Sequence, residues 1–167
     1  GSATAVTDAY STFNDEFPSP YQSTDTSAVG IQTGAGDDII ANYGTISATN
    51  TKNGVTSLGI AISTGGGNDT VILMNGSQTI GHIDLGDGDD RLILQGTPLV
   101  TGNVTGGAGF DTLLFQGAGS IGFTPMDFEQ AIKQGAGTFT VPSLPTMQRI
   151  EIKQGVLQVN NNYQFSN

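Results

Sequence analysis

The chain has 167 residues, 36% of them hydrophobic, no cysteine, 15 acidic against 5 basic side chains and a formal net charge of −10. The missing cysteines exclude a disulfide framework, a thiolate zinc site and a cysteine nucleophile. The acidic balance argues against nucleic-acid phosphate or an anionic membrane as a partner, because such binding rests on clustered Lys and Arg, and no apolar run approaches the roughly 18 residues of a membrane-spanning helix.

The opening Gly1 and Ser2 read as a cloning scar, and no signal peptide follows, so the chain reads as a fragment of a longer protein. Residues 1–27 form a tail or cap that does not share the pattern of the rest. Within it Val6, Tyr10, Phe13 and Phe17 fall at i, i+4, i+7 and i+11, with Thr7 or Asp8 as a cap and Pro18 and Pro20 as a stop. That spacing predicts a short amphipathic helix over 8–17. Its aromatic face, Tyr10, Phe13 and Phe17, covers an open end of the fold or engages a partner, unless the segment is disordered.

From residue 28 to 167 one turn is written four times, as GAGDDII at 34–40, GGGNDTV at 65–71, GDGDDRL at 86–92 and GAGFDTL at 107–113. The shared frame is Gly-x-Gly-x-Asp-x-aliphatic, carried by Gly34, Gly36 and Asp38; Gly65, Gly67 and Asp69; Gly86, Gly88 and Asp90; and Gly107, Gly109 and Asp111. The last three copies begin 21 residues apart and the first precedes the second by 31. Repetition at this period means stacked units.

Each turn is followed by three or four apolar residues ending in Gly44, Gly76, Gly96 or Gly117. Second short strands are expected at 45–47, 78–81 and 99–102, and third ones at 30–33, 60–64, 83–85 and 104–106. Three strands and three turns in one period describe a right-handed parallel β-helix, here of six to seven coils and roughly 30 Å long at ~4.8 Å per coil. Its inward ladders are expected to be Ile39 or Ile40, Val71, Leu92 and Leu113, and Ile31, Ala61 or Ile62, Ile83 and Val104. The ten-residue excess falls on a protruding loop at 48–56 that contains Asn50, Thr51, Lys52 and Asn53.

After residue 120 the rhythm loosens. Met126, Phe128 and Ile132 suggest a turn of helix or a coil with a larger loop; a strand restarts at 138–141, and QRIEIKQG (148–155) and VLQVNNN (156–162) give two more alternating strands with Ile150, Ile152, Val156 or Leu157, and Val159 inward. Tyr163 and Phe165 are placed to cover the last rung.

The stretches NYGTI at 42–46, IDLGDGDDRLIL at 83–94, VTGGAGFDTLLFQGAGS at 104–120, FEQAIKQGAGTFTV at 128–141 and GVLQVNNN at 155–162 together resemble the passenger region of bacterial autotransporters of the AIDA and pertactin kind. The resemblance covers roughly 29–160 and implies a right-handed β-helix exported through periplasm and outer membrane. In the full-length parent it implies an outer-membrane barrel, and display at the cell surface or release from it. It also implies that 128–162 helps nucleate folding. On that reading the chain is a monomeric, non-enzymatic adhesin or virulence ligand for a host cell-surface protein or glycan. The other readings are a structural stalk, a calcium-binding module and a polysaccharide-active enzyme.

The turns also resemble the glycine- and aspartate-rich repeats of calcium-binding RTX proteins. That resemblance implies a possible calcium site at Asp69, Asp87, Asp89 and Asp90; no other cofactor is expected. The opposing reading makes each Asp an acceptor for N–H groups of its own turn. His82 is expected to face solvent. The neighbouring acids Asp37 with Asp38, and Asp89 with Asp90, splay apart in a turn and do not form a glycosidase pair.

Overall fold

The computed structural model describes residues 8–11, 29–52, 55–145 and 147–160, and every regular element among them is a β-strand. The chain opens with β1 (Asp8–Ser11) and then winds through β2 (Val29–Gln32), β3 (Ile39–Asn42) and β4 (Thr45–Lys52). After β5 (Val55–Leu58) the second circuit is β6 (Ile60–Ser63), β7 (Thr70–Leu73) and β8 (Gln78–Ile80). The third is β9 (His82–Asp84), β10 (Arg91–Gly96) and β11 (Leu99–Val100). Then come β12 (Val104–Thr105) and β13 (Thr112–Ser120), followed by β14 (Pro125–Met126), β15 (Gln130–Gln134) and β16 (Thr138–Val141). A last, partial circuit holds β17 (Arg149–Ile152) and β18 (Val156–Val159).

Equivalent strands of successive circuits pair in parallel and make three sheets. One is ordered β14-β12-β9-β6-β2, one β17-β15-β13-β10-β7-β3, and one β1-β4-β8-β11. In the later circuits the end of β13, with β16 and β18, continues the stack where the third sheet stops at β11. This is the expected parallel β-helix, and parallel crossovers of this kind wind right-handed. It has about five turns and not six to seven. Dividing residues 28–167 by one period overcounts, because the first circuit spends its excess on an arm and the last contributes two strands.

The interior is built one side chain per rung. Ile40, Val71, Leu92, Leu113 and Ala131 stand in register and are buried. Beside them run Asn42, Leu73, Leu94, Phe115 and Lys133, and on the facing sheet Ile62, Ile83 and Val104. Each such aliphatic side chain withdrawn from water contributes about 1.5–3 kcal/mol. Of the two candidates in the first rung, Ile40 points in and Ile39 out. Phe115 and Phe139 stack at 4.9 Å across the lower core. The region of Met126 and Phe128 is the coil with a larger loop, Phe128 fully buried. Ile150 and Ile152 occupy inward columns yet remain exposed, and of the next pair Leu157 turns in while Val156 turns out.

The helix expected over 8–17 is not formed at 8–11. These residues pair as a parallel strand with 45–48 at the edge of the third sheet. An exposed edge offers a row of unpaired N–H and C=O groups, and a strand satisfies them where a helix cannot. Tyr10 lies in this strand; Phe13 and Phe17, and residues 12–28 generally, lie outside the described residues, as do 161–167 with Tyr163 and Phe165.

Lys133 was not foreseen. Its side chain is fully buried in the column above Ile152, and its Nζ donates to the carbonyls of Gln134 (3.2 Å), Gly135 (2.6 Å) and Gln154 (3.2 Å). The ammonium thus ties the last partial circuit to the one before it, and burial lowers its pKa. Lys133→Met is expected to cost about 2–3 kcal/mol by stranding these acceptors. Hydrogen exchange of β17 and β18 should accelerate before that of β7 and β10; uniform exchange would deny Lys133 this role.

Candidate functional site

Two features depart from a plain stack, the aspartate turns and the arm at 49–58. In the turns the backbones run so close that Ala35, Gly66, Asp87 and Ala108 form parallel bridges from circuit to circuit. Their N–H groups alternate in direction: Gly67 donates to Asp87 O at 2.9 Å, and Asp87 donates to Gly65 O at 2.8 Å. The motif glycines are what permit this. A Cβ on Gly88, at φ +138°, would lie 1.9 Å from Gly67 O, inside any tolerable contact.

The four motif aspartates are buried, at 2%, 1%, 1% and 0% exposure for Asp38, Asp69, Asp90 and Asp111. The carboxylates of Asp69, Asp90 and Asp111 each reach back one circuit, and Glu129 does the same. Asp38 N–H donates to Asp69 Oδ1 (2.7 Å), Asp69 N–H to Asp90 Oδ1 (2.7 Å), Asp90 N–H to Asp111 Oδ1 (2.8 Å), and Asp111 N–H to Glu129 Oε2 (2.7 Å). This corrects the expectation that each Asp serves its own turn. The neighbouring circuit's N–H is closer to hand because stacked turns lie only one strand spacing apart. Glu129 closes the ladder although it belongs to no motif copy.

A second ladder runs the opposite way on the outside of the turn. Asn68 N–H donates to Asp37 Oδ1 (2.7 Å), Asp89 N–H to Asn68 Oδ1 (2.8 Å), and Phe110 N–H to Asp89 Oδ1 (2.9 Å). Asn68 can replace an Asp here because the amide oxygen accepts equally well. Phe110, with no acceptor, ends the outer series.

The inner ladder uses only one oxygen of Asp69, Asp90 and Asp111, and Asp38 joins it through its N–H. Asp69 Oδ2, Asp90 Oδ2, Asp111 Oδ2 and Asp38 Oδ1 are buried and unpartnered. The pKa of Asp90 is raised to about 6, chiefly by burial, against the hydrogen bond from Asp69 N–H and with Asp111, Asp69 and Asp89 adding repulsion. Asp111 is raised to about 6 as well, again by burial first, with Glu129, Asp89 and Asp127 adding to it.

The four residues proposed for calcium do not converge. Asp69 and Asp90 turn into the interior, whereas Asp87 and Asp89 are exposed on the other side of the turn, and Asp89 Oδ1 is taken by Phe110 N–H. Calcium asks for six to eight oxygens around one point, and among the described residues no three His, Cys, Asp or Glu side chains are grouped to hold a metal ion. The donor set does not fit the ion. The same in-and-out alternation separates Asp37 from Asp38 and Asp89 from Asp90. His82 is half-buried, and its Nδ1 accepts from Asn103 N–H at 3.0 Å.

The loop expected at 48–56 is an antiparallel hairpin. β4 runs past its stacking partners and β5 returns along it, pairing Thr49 with Leu58, Asn50 with Ser57, Thr51 with Thr56 and Lys52 with Val55. Asn50, Thr51 and Lys52 therefore sit in a strand, and Asn53 falls in the link at 53–54, outside the described residues. That link is Asn-Gly, the pair that favours two-residue hairpin turns, the signal in the sequence that the expectation of a loop passed over. All of β5 is exposed, Val55 and Leu58 included. At its root Gly59 N–H donates to Ala48 O at 2.8 Å, so the chain leaves and rejoins the stack at one point.

Compared with known proteins, the chain matches no family model, no curated protein and no solved structure.

Proposed function

We propose that this chain is the stalk-forming passenger part of a bacterial autotransporter, displayed on or released from the cell surface, and that it binds a host cell-surface protein or glycan without catalysing a reaction. The observation that carries this reading is the arm at 49–58. Its outer strand buries nothing in the core and leaves two apolar side chains, Val55 and Leu58, in solvent. Apolar surface kept exposed on a projecting ribbon suits recognition better than stability. The motif resemblance supports export and display, and the net charge of −10 disfavours nucleic acid as the ligand.

A stalk without a binding role of its own is the second reading, and the two hydrogen-bonded side-chain ladders favour it, since they strengthen a rod and present nothing to a partner. Excising 49–58 separates the two. Because Ala48 and Gly59 are already hydrogen-bonded, an Asn-Gly turn can close the gap. Binding to host cells is expected to fall more than about tenfold with a melting temperature shifted by less than about 3 °C. Unchanged binding would remove the arm from the mechanism, and a parent chain that never binds cells leaves the stalk.

A further inference from the structure

The lower end of the stack is an edge that matches itself. β17 is the terminal strand of its sheet, bonded on one side to β15 through Arg149 N–H to Glu129 O (3.0 Å) and Lys153 N–H to Lys133 O (2.8 Å). Among the described residues no strand lies on its other side. Its two inward residues, Ile150 and Ile152, follow Ala131 and Lys133 in their columns, and both of those are buried. Ile150 is nevertheless 41% exposed and Ile152 54%. At the opposite end of the same sheet Ile40, in the Ile150 column, is only 3% exposed. Core positions with solvent where a rung belongs, beside an unpaired backbone edge, make a template for another strand.

The geometry points to a second copy of this chain as that strand, joined tail to tail about a two-fold axis through β17. A two-fold axis normal to a sheet pairs a strand with itself in antiparallel and keeps inward side chains on the same face. Three registers then place isoleucine beside isoleucine. Centred on Glu151, the pairing sets Glu151 against Glu151 of the other copy and Arg149 against Lys153, two kinds of like-charge contact. Centred on Ile150, it sets Ile150 on Ile150 and each Arg149 opposite the other copy's Glu151.

Opposite charges directly across a strand pair stabilise and like charges destabilise, which rejects the Glu151-centred register. Centred on Ile152, the pairing would set Glu151 opposite Lys153, but Lys153 lies in the bend beyond β17, so the Ile150-centred register, whose charged pair lies wholly within Arg149–Ile152, is selected. Within one copy Glu151, half-buried, already lies 3.5 Å from the exposed Arg149 and 3.9 Å from the exposed Lys153, so it gains a partner across the axis without losing a strong one. The contact closes as a dimer and cannot propagate into a filament. It is small, one four-residue strand and its flanks on each side, so the association is weak. It replaces the monomer expected from the sequence with a concentration-dependent pair.

Sedimentation equilibrium of the full chain from about 1 µM to about 500 µM tests this. The weight-average mass is expected to climb from 17.1 kDa toward twice that value. Glu151→Arg alone and Arg149→Glu alone each create two like-charge contacts across the axis, and each should weaken association at least tenfold. The double variant R149E/E151R restores the complementarity and should return to within about threefold of the parent. Both positions are surface sites, and unchanged melting of all three variants controls for folding.

A chain that stays at monomer mass throughout overturns the proposal, as does mass that grows beyond the dimer, single variants that associate normally, or a double variant that does not recover. If Tyr163→Ala/Phe165→Ala turns a monomeric parent into an associating one, the chain's own tail covers this edge and the proposal fails.

Discussion

Lowering the pH from about 8 to about 4.5 is expected to raise the melting temperature of this chain by of order 10 °C, the reverse of ordinary acid denaturation. Folded-state pKa values of about 6 for Asp90 and Asp111 stand above the ordinary 3.8. The folded chain therefore holds more protons than the unfolded one between those values. Stability is fully present below about pH 4 and is lost as the pH climbs through about 6. Roughly 2 units correspond to at most ~3 kcal/mol per group. The structural cause is the unpartnered second oxygen of each buried carboxylate, which costs least when it carries a proton. The net charge of −10 acts in the same direction.

Asp90→Asn separates the two causes. Its amide oxygen can still accept from Asp69 N–H, as Asn68 does from Asp89 N–H in the outer ladder, while the buried charge is gone. The variant is expected to lose about half of the pH response and to melt higher than the parent at pH 8. A melting temperature that is flat or falls toward acid would show that these carboxylates are not held in a desolvated ladder.

Gly86→Ala should unfold the stack at temperatures the parent withstands, with a cost above about 4 kcal/mol. Gly86 has φ +93°, and a Cβ there would lie 2.0 Å from Gly65 O, a backbone atom that cannot swing aside. Moving it means shifting a turn that is joined to the one before it by Asp87 N–H to Gly65 O and to the one after it by Ala108 N–H to Gly86 O, each 2.8 Å. Gly34 holds the same place in the first motif copy, yet a Cβ there meets nothing within 4 Å and its φ is not in the left-handed region. Gly34→Ala is expected to stay within about 0.5 kcal/mol of the parent. Paired thermal melts check both. Equal losses at the two positions would mean that the glycine serves the turn's own conformation and not the approach between circuits.

Much of the fold was legible because a solenoid writes its third dimension into its period. The 21-residue recurrence of Asp69, Asp90 and Asp111 is the distance between vertically adjacent residues. Reading the repeat was thus equivalent to reading the contacts of Val71, Leu92 and Leu113. The extra residues between Asp38 and Asp69, 31 apart, likewise located the arm, since a rung of fixed circumference must expel them. Its form was expected as a loop, although Asn53-Gly54 carries a local turn preference for a hairpin that needs no tertiary partner.

What the sequence determined alone is therefore the stack, its inward columns and the place where it is interrupted; these follow from local alternation and from a period that copies itself. The tertiary structure decided matters that depend on a neighbour's position. Asp37 and Asp38 are the same residue type side by side, yet one faces water and the other is buried beneath it. The N–H that Asp69 serves belongs to a residue 31 positions earlier. Residues 8–11 have helical spacing but meet the edge of β4 and become a strand. Ile150 and Ile152 carry the pattern of core residues and stand exposed, because burial of a rung is conferred by the next rung and not by its own sequence.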